Sequence, residues 1–109
     1  MSRISCPYLE IEVELTAERE THIAERHPDL LPQYRYVIAE TLAEPDQVRR
    51  SQRLENAKLF SRWYNDLRGG KHVVVVVVSG EFRGTKRHWI VTAYMARKLA
   101  EGVVEWSRS

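Results

Sequence analysis

The sequence predicts an α+β domain, with helices set against a mostly antiparallel sheet, and three observations lead there. Lys71 and His72 are followed by six consecutive valines, Val73 to Val78, closed by Ser79-Gly80. Valine is stiff at χ1 and suits a pleated surface, and a run without polar alternation has no face to give to water. This is a central strand buried on both sides. Tyr8 to Leu15 alternates apolar and acidic residues, the pattern of a strand with one buried face. Two helical patterns lie between these runs, so the order is β, α, α and then an antiparallel meander.

Each element follows from local chemistry. Leu9, Ile11, Val13 and Leu15 share one side of the first strand, and the glutamates on its other side suit an edge. Thr16 offers an N-cap, with Glu18 and Glu20 in the first turn, for a short helix through Arg26 that Pro28 stops. Asp29 and Pro32 open a second helix, ended by Pro45. Its Tyr34, Val37, Ile38, Thr41 and Leu42 recur at the spacing of one buried face. Val48 to Gln52 reads as a short strand, Leu54-Glu55-Asn56 as a hairpin turn and Lys58 to Tyr64 as an aromatic-rich strand. Asn65 to Gly70 is a polar turn before the valines. Gly80 to Thr85 reads as a loop and Arg87 to Tyr94 as the last core strand. In that strand Trp89, Val91 and Ala93 should face one way, and His88, Ile90, Thr92 and Tyr94 the other. Arg97 to Gly102 is a short basic turn or helix, and Val103 to Trp106 a final edge.

At 109 residues the chain is one domain, residues 1–109, able to bury roughly 65% of its unfolded surface. Eight residues from Lys71 span about 26 Å as a strand, whereas a membrane helix needs roughly 20 apolar residues, so no membrane span is expected. Cys6 is the one cysteine, which excludes an internal disulfide, and no Cys/His cluster has zinc spacing. A cytoplasmic protein is expected, since the N-terminus has no apolar leader core. The formal charge is only +2, but its distribution is uneven. From Arg49 to Lys98 there are 12 Lys or Arg against three acids, so the segment around the valine strand is basic.

A set of residues carries a resemblance. Thr21-His22-Ile23 with Arg26-His27-Pro28-Asp29, then Glu44-Pro45-Asp46-Gln47-Val48, the valine strand, Trp89 to Tyr94, and Gly102 with Trp106 together resemble the phage-associated branch of the Barnase, EndoU, colicin and RelE-like (BECR) nuclease superfamily. The resemblance implies two N-terminal helices packed on a mostly antiparallel sheet of about four to five strands. It also implies an RNA-binding surface and metal-independent cleavage of a phosphodiester. The chain departs from the pattern at Asp29, where the family has Glu, and in its N-terminal strand.

Cleaving RNA without a metal needs a base for the 2′-hydroxyl proton, donors for the charge growing on the phosphate and an acid for the leaving oxygen. Histidine serves as base or acid near neutrality, and arginine is a permanent bidentate phosphate donor. His22 and His27 would stand about 140° apart around one helix, so they share no face unless the helix ends between them. His27, at the turn before Pro28, is the favoured catalytic histidine. Arg62 and Arg49 are the candidate phosphate clamps, and Thr92 and Tyr94 match the part of the motif where the resemblance places a phosphate-contacting hydroxyl. His22, Arg26, Arg49, Tyr64 and Arg87 are the candidate RNA contacts, with Tyr64 or Trp63 stacking an unpaired base. Plain alternatives stand beside these: His27 as a helix cap, Thr92 as strand packing, the tryptophans as core and the arginines as a solvated face. Two functions therefore remain, a toxin-like or phage-derived endoribonuclease and a non-catalytic RNA- or protein-binding module. Neither needs a cofactor or metal. RNA, including tRNA, is the expected partner, with a cognate inhibitor protein if the chain is a toxin, and the expected state is a monomer or weak homo-oligomer.

Overall fold

In the computed structural model, which describes residues 2–108, the valine run lies at the middle of a seven-stranded sheet. The chain runs β1 (Ser2–Cys6), a 3-10 turn (Pro7–Leu9), β2 (Ile11–Leu15), α1 (Ala17–Arg26), α2 (Arg35–Ala43), β3 (Gln47–Arg50), β4 (Ala57–Tyr64), β5 (Lys71–Phe82), β6 (Thr85–Ala96) and β7 (Val103–Ser107). Across the sheet the order is β1-β2-β6-β5-β4-β3-β7. Strands β3 to β6 form the expected antiparallel meander, but β2 meets β6 in parallel, at Glu14 and Trp89, so the sheet is mixed. The expectation of two N-terminal helices on an antiparallel sheet of four to five strands is thereby corrected. A hairpin precedes the helices and widens the sheet beside β6, and β7 widens it beside β3.

That hairpin comes from a break in the run expected as one strand from Tyr8 to Leu15. Pro7 has no N–H to give a ladder, and Glu10 takes a left-handed conformation at φ 59°, so Tyr8 and Leu9 turn out of the sheet. β1 folds back on β2, with Cys6 opposite Ile11, and takes the edge that β2 was expected to occupy. Helix α1 matches its expected bounds, and Thr16 Oγ1 accepts from the Arg19 N–H at 3.1 Å. Helix α2 begins later than Pro32 suggested, because residues 28–34 form turns. Its predicted stripe holds: Val37, Ile38, Thr41 and Leu42 are all buried.

The helices lie on one face of the sheet. There α2, with Ile23 of α1 and the Leu30-Leu31 turn, closes over Val13, Leu15, Val48, Phe60, Val73, Val75, Val77, Ile90 and Ala93. Burying each such side chain stabilises the fold by roughly 1.5–3 kcal/mol. The outer face carries a smaller cluster of Ala57, Leu59, Val74 and Val76, with Val78, Val91, Tyr94 and Leu99 against it. The valines are therefore buried on both sides, as the run demands.

Two features shape that outer face. The register of β5 and β6 slips between Val76 and Val77, which pair with Thr92 and Ile90, so Val91 is an extra residue. This bulge resets the alternation: Thr92 and Tyr94 lie opposite Val76 and Val74 on the outer face, while Ala93 joins the helix-side core. The expected phase of β6, which placed Ile90 with Thr92, is corrected by that single residue. The second feature is the link from β6 to β7. These strands are separated by β5, β4 and β3, so Arg97 to Gly102 crosses the outer face as an irregular, bent segment rather than a helix, and its Leu99 packs against the outer cluster.

Candidate nucleic-acid interface on the outer sheet face

Strand alternation divides the candidate residues between the two faces. On β4, Phe60 belongs to the helix-side core, so Arg62 and Tyr64 point the same way, while Leu59, Ser61 and Trp63 point outward. Arg62 donates from Nη1 to the Glu44 carbonyl at 3.0 Å and lies 5.6 Å over the Tyr64 ring. The Tyr64 hydroxyl donates to Glu40 Oε1 at 3.1 Å and lies 3.4 Å from Thr41 Oγ1. Burial, with Glu40 nearby, pushes that phenol up to about 12. Both side chains fasten β4 to α2. They do not join Thr92 and Tyr94 in one constellation, which corrects the expectation that Arg62 works beside those hydroxyls and that Tyr64 offers its ring to a base.

Arg87 is likewise engaged. Its Nη2 and Nε donate to the two Glu14 oxygens at 2.7 and 3.0 Å, an exposed bidentate pair across β2 and β6. The guanidinium holds the Glu14 carboxyl below its ordinary range. His22 and Arg26 are exposed on α1, where His22 shares a shallow surface with Glu18, Arg19 and Glu25. Their acidic neighbours make that surface a poor seat for a phosphate.

The remaining candidates converge. His27 caps the end of α1, its N–H donating to the Ile23 carbonyl, and α1 packs along β6. This brings the His27 ring to 5.9 Å from the Tyr94 ring. Thr92 stands two residues from Tyr94 on the same face. Arg49 of β3 also points outward, paired with Leu59, and its guanidinium is held by Gln47 Oε1 at 3.1 Å and the Glu101 carbonyl at 3.5 Å. Arg49 and Tyr94 then face each other across a small cleft with Ser61 between them and Lys98 above.

Three outward residues are not singled out as site residues by the sequence. Trp63 enters there only as an alternative to Tyr64, yet it is the aromatic of β4 that reaches solvent, 42% exposed. Its indole packs over Gly70, where any Cβ would come within 2.7 Å of the ring, and meets His72 edge-on at 4.9 Å between centroids. Trp63 Nε1 donates to Asn65 Oδ1 at 2.6 Å, which fixes the plane of the ring. His72, expected to be structural or solvent-facing, supports that ring, and burial holds its imidazole below the ordinary range, with Asp46 opposing the shift. Ser61 gives no signal beyond its phase with Leu59. It is buried, and its Oγ has no hydrogen-bond partner.

The face thus combines a fixed indole, a histidine–tyrosine contact and cations at Arg49 and Lys98. Among the described residues no three His, Cys, Asp or Glu side chains gather as a metal site, and no helix is long and apolar enough to cross a membrane. Comparison with family models, curated proteins and solved structures finds no match to this chain.

Proposed function

We propose that the protein binds single-stranded RNA on the sheet face opposite its helices. The observation that carries this reading is Trp63, an indole braced by His72, Gly70 and Asn65 yet open on its outer side. A ring fixed in this way loses little conformational freedom when a base stacks on it, and every base has a face to offer. Arg49 and Lys98 supply charge for a phosphate backbone crossing the same face. Thr92 and Tyr94 add hydroxyl donors. Binding of a fluorescent single-stranded RNA should weaken steeply with salt, and Trp63→Ala should weaken it by roughly tenfold or more. A duplex of the same sequence should bind far less, because its bases are already stacked.

The contact of His27 with Tyr94 favours a second reading, metal-independent cleavage of the bound strand. His27 would take the 2′-hydroxyl proton as the 2′-oxygen attacks phosphorus, Arg49 would stabilise the phosphorane charge, and the protonated His27 would return that proton to the 5′-oxygen as its bond to phosphorus breaks, leaving a cyclic phosphate. Cleavage of tRNA or single-stranded RNA in EDTA by the wild type, lost in folded His27→Ala, would establish it. Binding without turnover by both proteins would leave the binding module.

A further inference from the structure

Ser61 Oγ is the buried side-chain polar atom that lacks a partner among the described residues, in a residue only 2% exposed. Buried hydroxyls are nearly always hydrogen-bonded, so an orphan calls for a missing acceptor or donor. Its surroundings indicate which. Ser61 forms the floor of the outer-face cleft, Arg49 and Tyr94 form its walls, and the crossing segment from Lys98 to Glu101 forms its roof. The Tyr94 hydroxyl and the Lys98 ammonium make no hydrogen bond among the described residues, and only two Arg49 N–H groups are used, by Gln47 and the Glu101 carbonyl. Glu101 is the one acid present, and its Oε1 is turned to Ser51 Oγ and the Gln52 N–H, both at 2.9 Å. Burial and Glu101 hold the Tyr94 phenol above its ordinary range, so it stays protonated and can donate at neutral pH.

Two cations, Arg49 and Lys98, and the Tyr94 hydroxyl beside the orphan Ser61 hydroxyl suit a small anion. The space among these residues is small, enough for a compact group of a few heavy atoms and far too small for a base. Its roof blocks a strand from continuing through. Trp63 stands two residues along the same face of β4, about 7 Å away by strand rise, within reach of the base of the same nucleotide.

The geometry points to a pocket for the terminal phosphate of an RNA strand, held by Ser61, Arg49, Tyr94 and Lys98, with that nucleotide's base on Trp63. This rests on the RNA-binding reading and adds to it the end of the strand. Its test uses the full chain, labelled with 15N, and one short oligoribonucleotide in three forms: 5′-phosphate, 3′-phosphate and hydroxyl at both ends. One phosphorylated form should bind about tenfold tighter than the hydroxyl form. Ser61→Ala and Arg49→Met should each bring that ratio towards one, and Trp63→Ala should weaken all forms while leaving the ratio. Inorganic phosphate at millimolar concentration should shift the amide signals of Ser61 and of residues 98–101 in the wild type but not in Ser61→Ala. If all three oligonucleotides bind alike and inorganic phosphate moves none of these signals, the pocket holds only water and the inference is overturned, while strand binding stands. If inorganic phosphate binds and no oligonucleotide does, the anion pocket stands and the RNA reading falls.

Discussion

Ser61 shows how a single side chain separates stability from function. An unpaired buried hydroxyl costs about 1–3 kcal/mol of desolvation with no return from a hydrogen bond. Ser61→Ala should therefore leave the unfolding free energy unchanged or raise it by about 1 kcal/mol in phosphate-free buffer, read by thermal or denaturant unfolding. A clear loss would mean that the hydroxyl already has a partner in the fold. Two histidines carry a pH dependence of defined sign. Burial lowers the affinity of His72 and His88 for protons below the ordinary value of 6.5, and His88 Nδ1 is paired with Ser79 Oγ at 2.6 Å. As pH falls the unfolded chain takes up protons first, so this part of the stability is whole above 6.5 and is lost as pH drops through the lower folded values. Unfolding midpoints at pH 5 and pH 7.5 should differ in that direction, and His88→Asn should shrink the difference, where pH 5 and pH 7.5 are chosen to lie on either side of about 6.5.

Among the elements, the crossing from β6 to β7 matters most to the site, because it roofs the cleft and delivers Lys98. Its exit depends on Gly102, at φ +91°, where a Cβ would sit 2.9 Å from the Arg50 carbonyl oxygen and 3.1 Å from Arg49 Cβ. Gly102→Ala combines left-handed strain with a clash against backbone, so it should cost more than about 1 kcal/mol. Because the atoms it presses belong to Arg49 and Arg50, RNA affinity should fall with it. Gly84→Ala is the control. It follows Arg83 in a two-residue turn with both residues at positive φ, and its Cβ would meet nothing within 4 Å. That variant should lose stability from backbone strain alone and retain binding. Equal effects on binding would remove the crossing segment from the site.

Taken whole, the molecule sets a structural face against an accessible one. The helix side holds the larger core, and Phe60, fully buried at its centre, should cost about 3–5 kcal/mol as Phe60→Ala. Both faces of the sheet depend on β4 and β5, so such a loss should be cooperative and seen alike by tryptophan fluorescence and circular dichroism. The outer side holds a thinner cluster, with Ser61, Tyr94 and Lys98 making no side-chain hydrogen bond among the described residues, which leaves it available to a ligand.

Local chemistry alone determined several things about this protein. The valine run specified a central strand, Thr16 and Pro28 bounded α1, and the stripe from Val37 to Leu42 specified the helix face that covers the sheet. The basic middle of the chain and the pairing of Thr92 with Tyr94 on one face were also legible. Other features needed partners distant in sequence. The split at Pro7 and Glu10 gives β1 to the sheet, and only the pairing of Glu14 with Trp89 makes that sheet mixed and adds the hairpin to it. One extra residue at Val91 reverses the phase of β6, because strand direction has a period of two and any insertion flips every side chain after it. Arg62 and Tyr64 have the composition of a binding site, but their phase with Phe60 turns them to α2, while Trp63 between them reaches solvent. His27 meets Tyr94 only because α1 lies along β6, and Ser61 becomes an orphan only because a distant segment passes over it. Periodicity and breakers act within a few residues and can be read in order, whereas register, edge choice and the roof of a cleft are decided by which segments win the same neighbours.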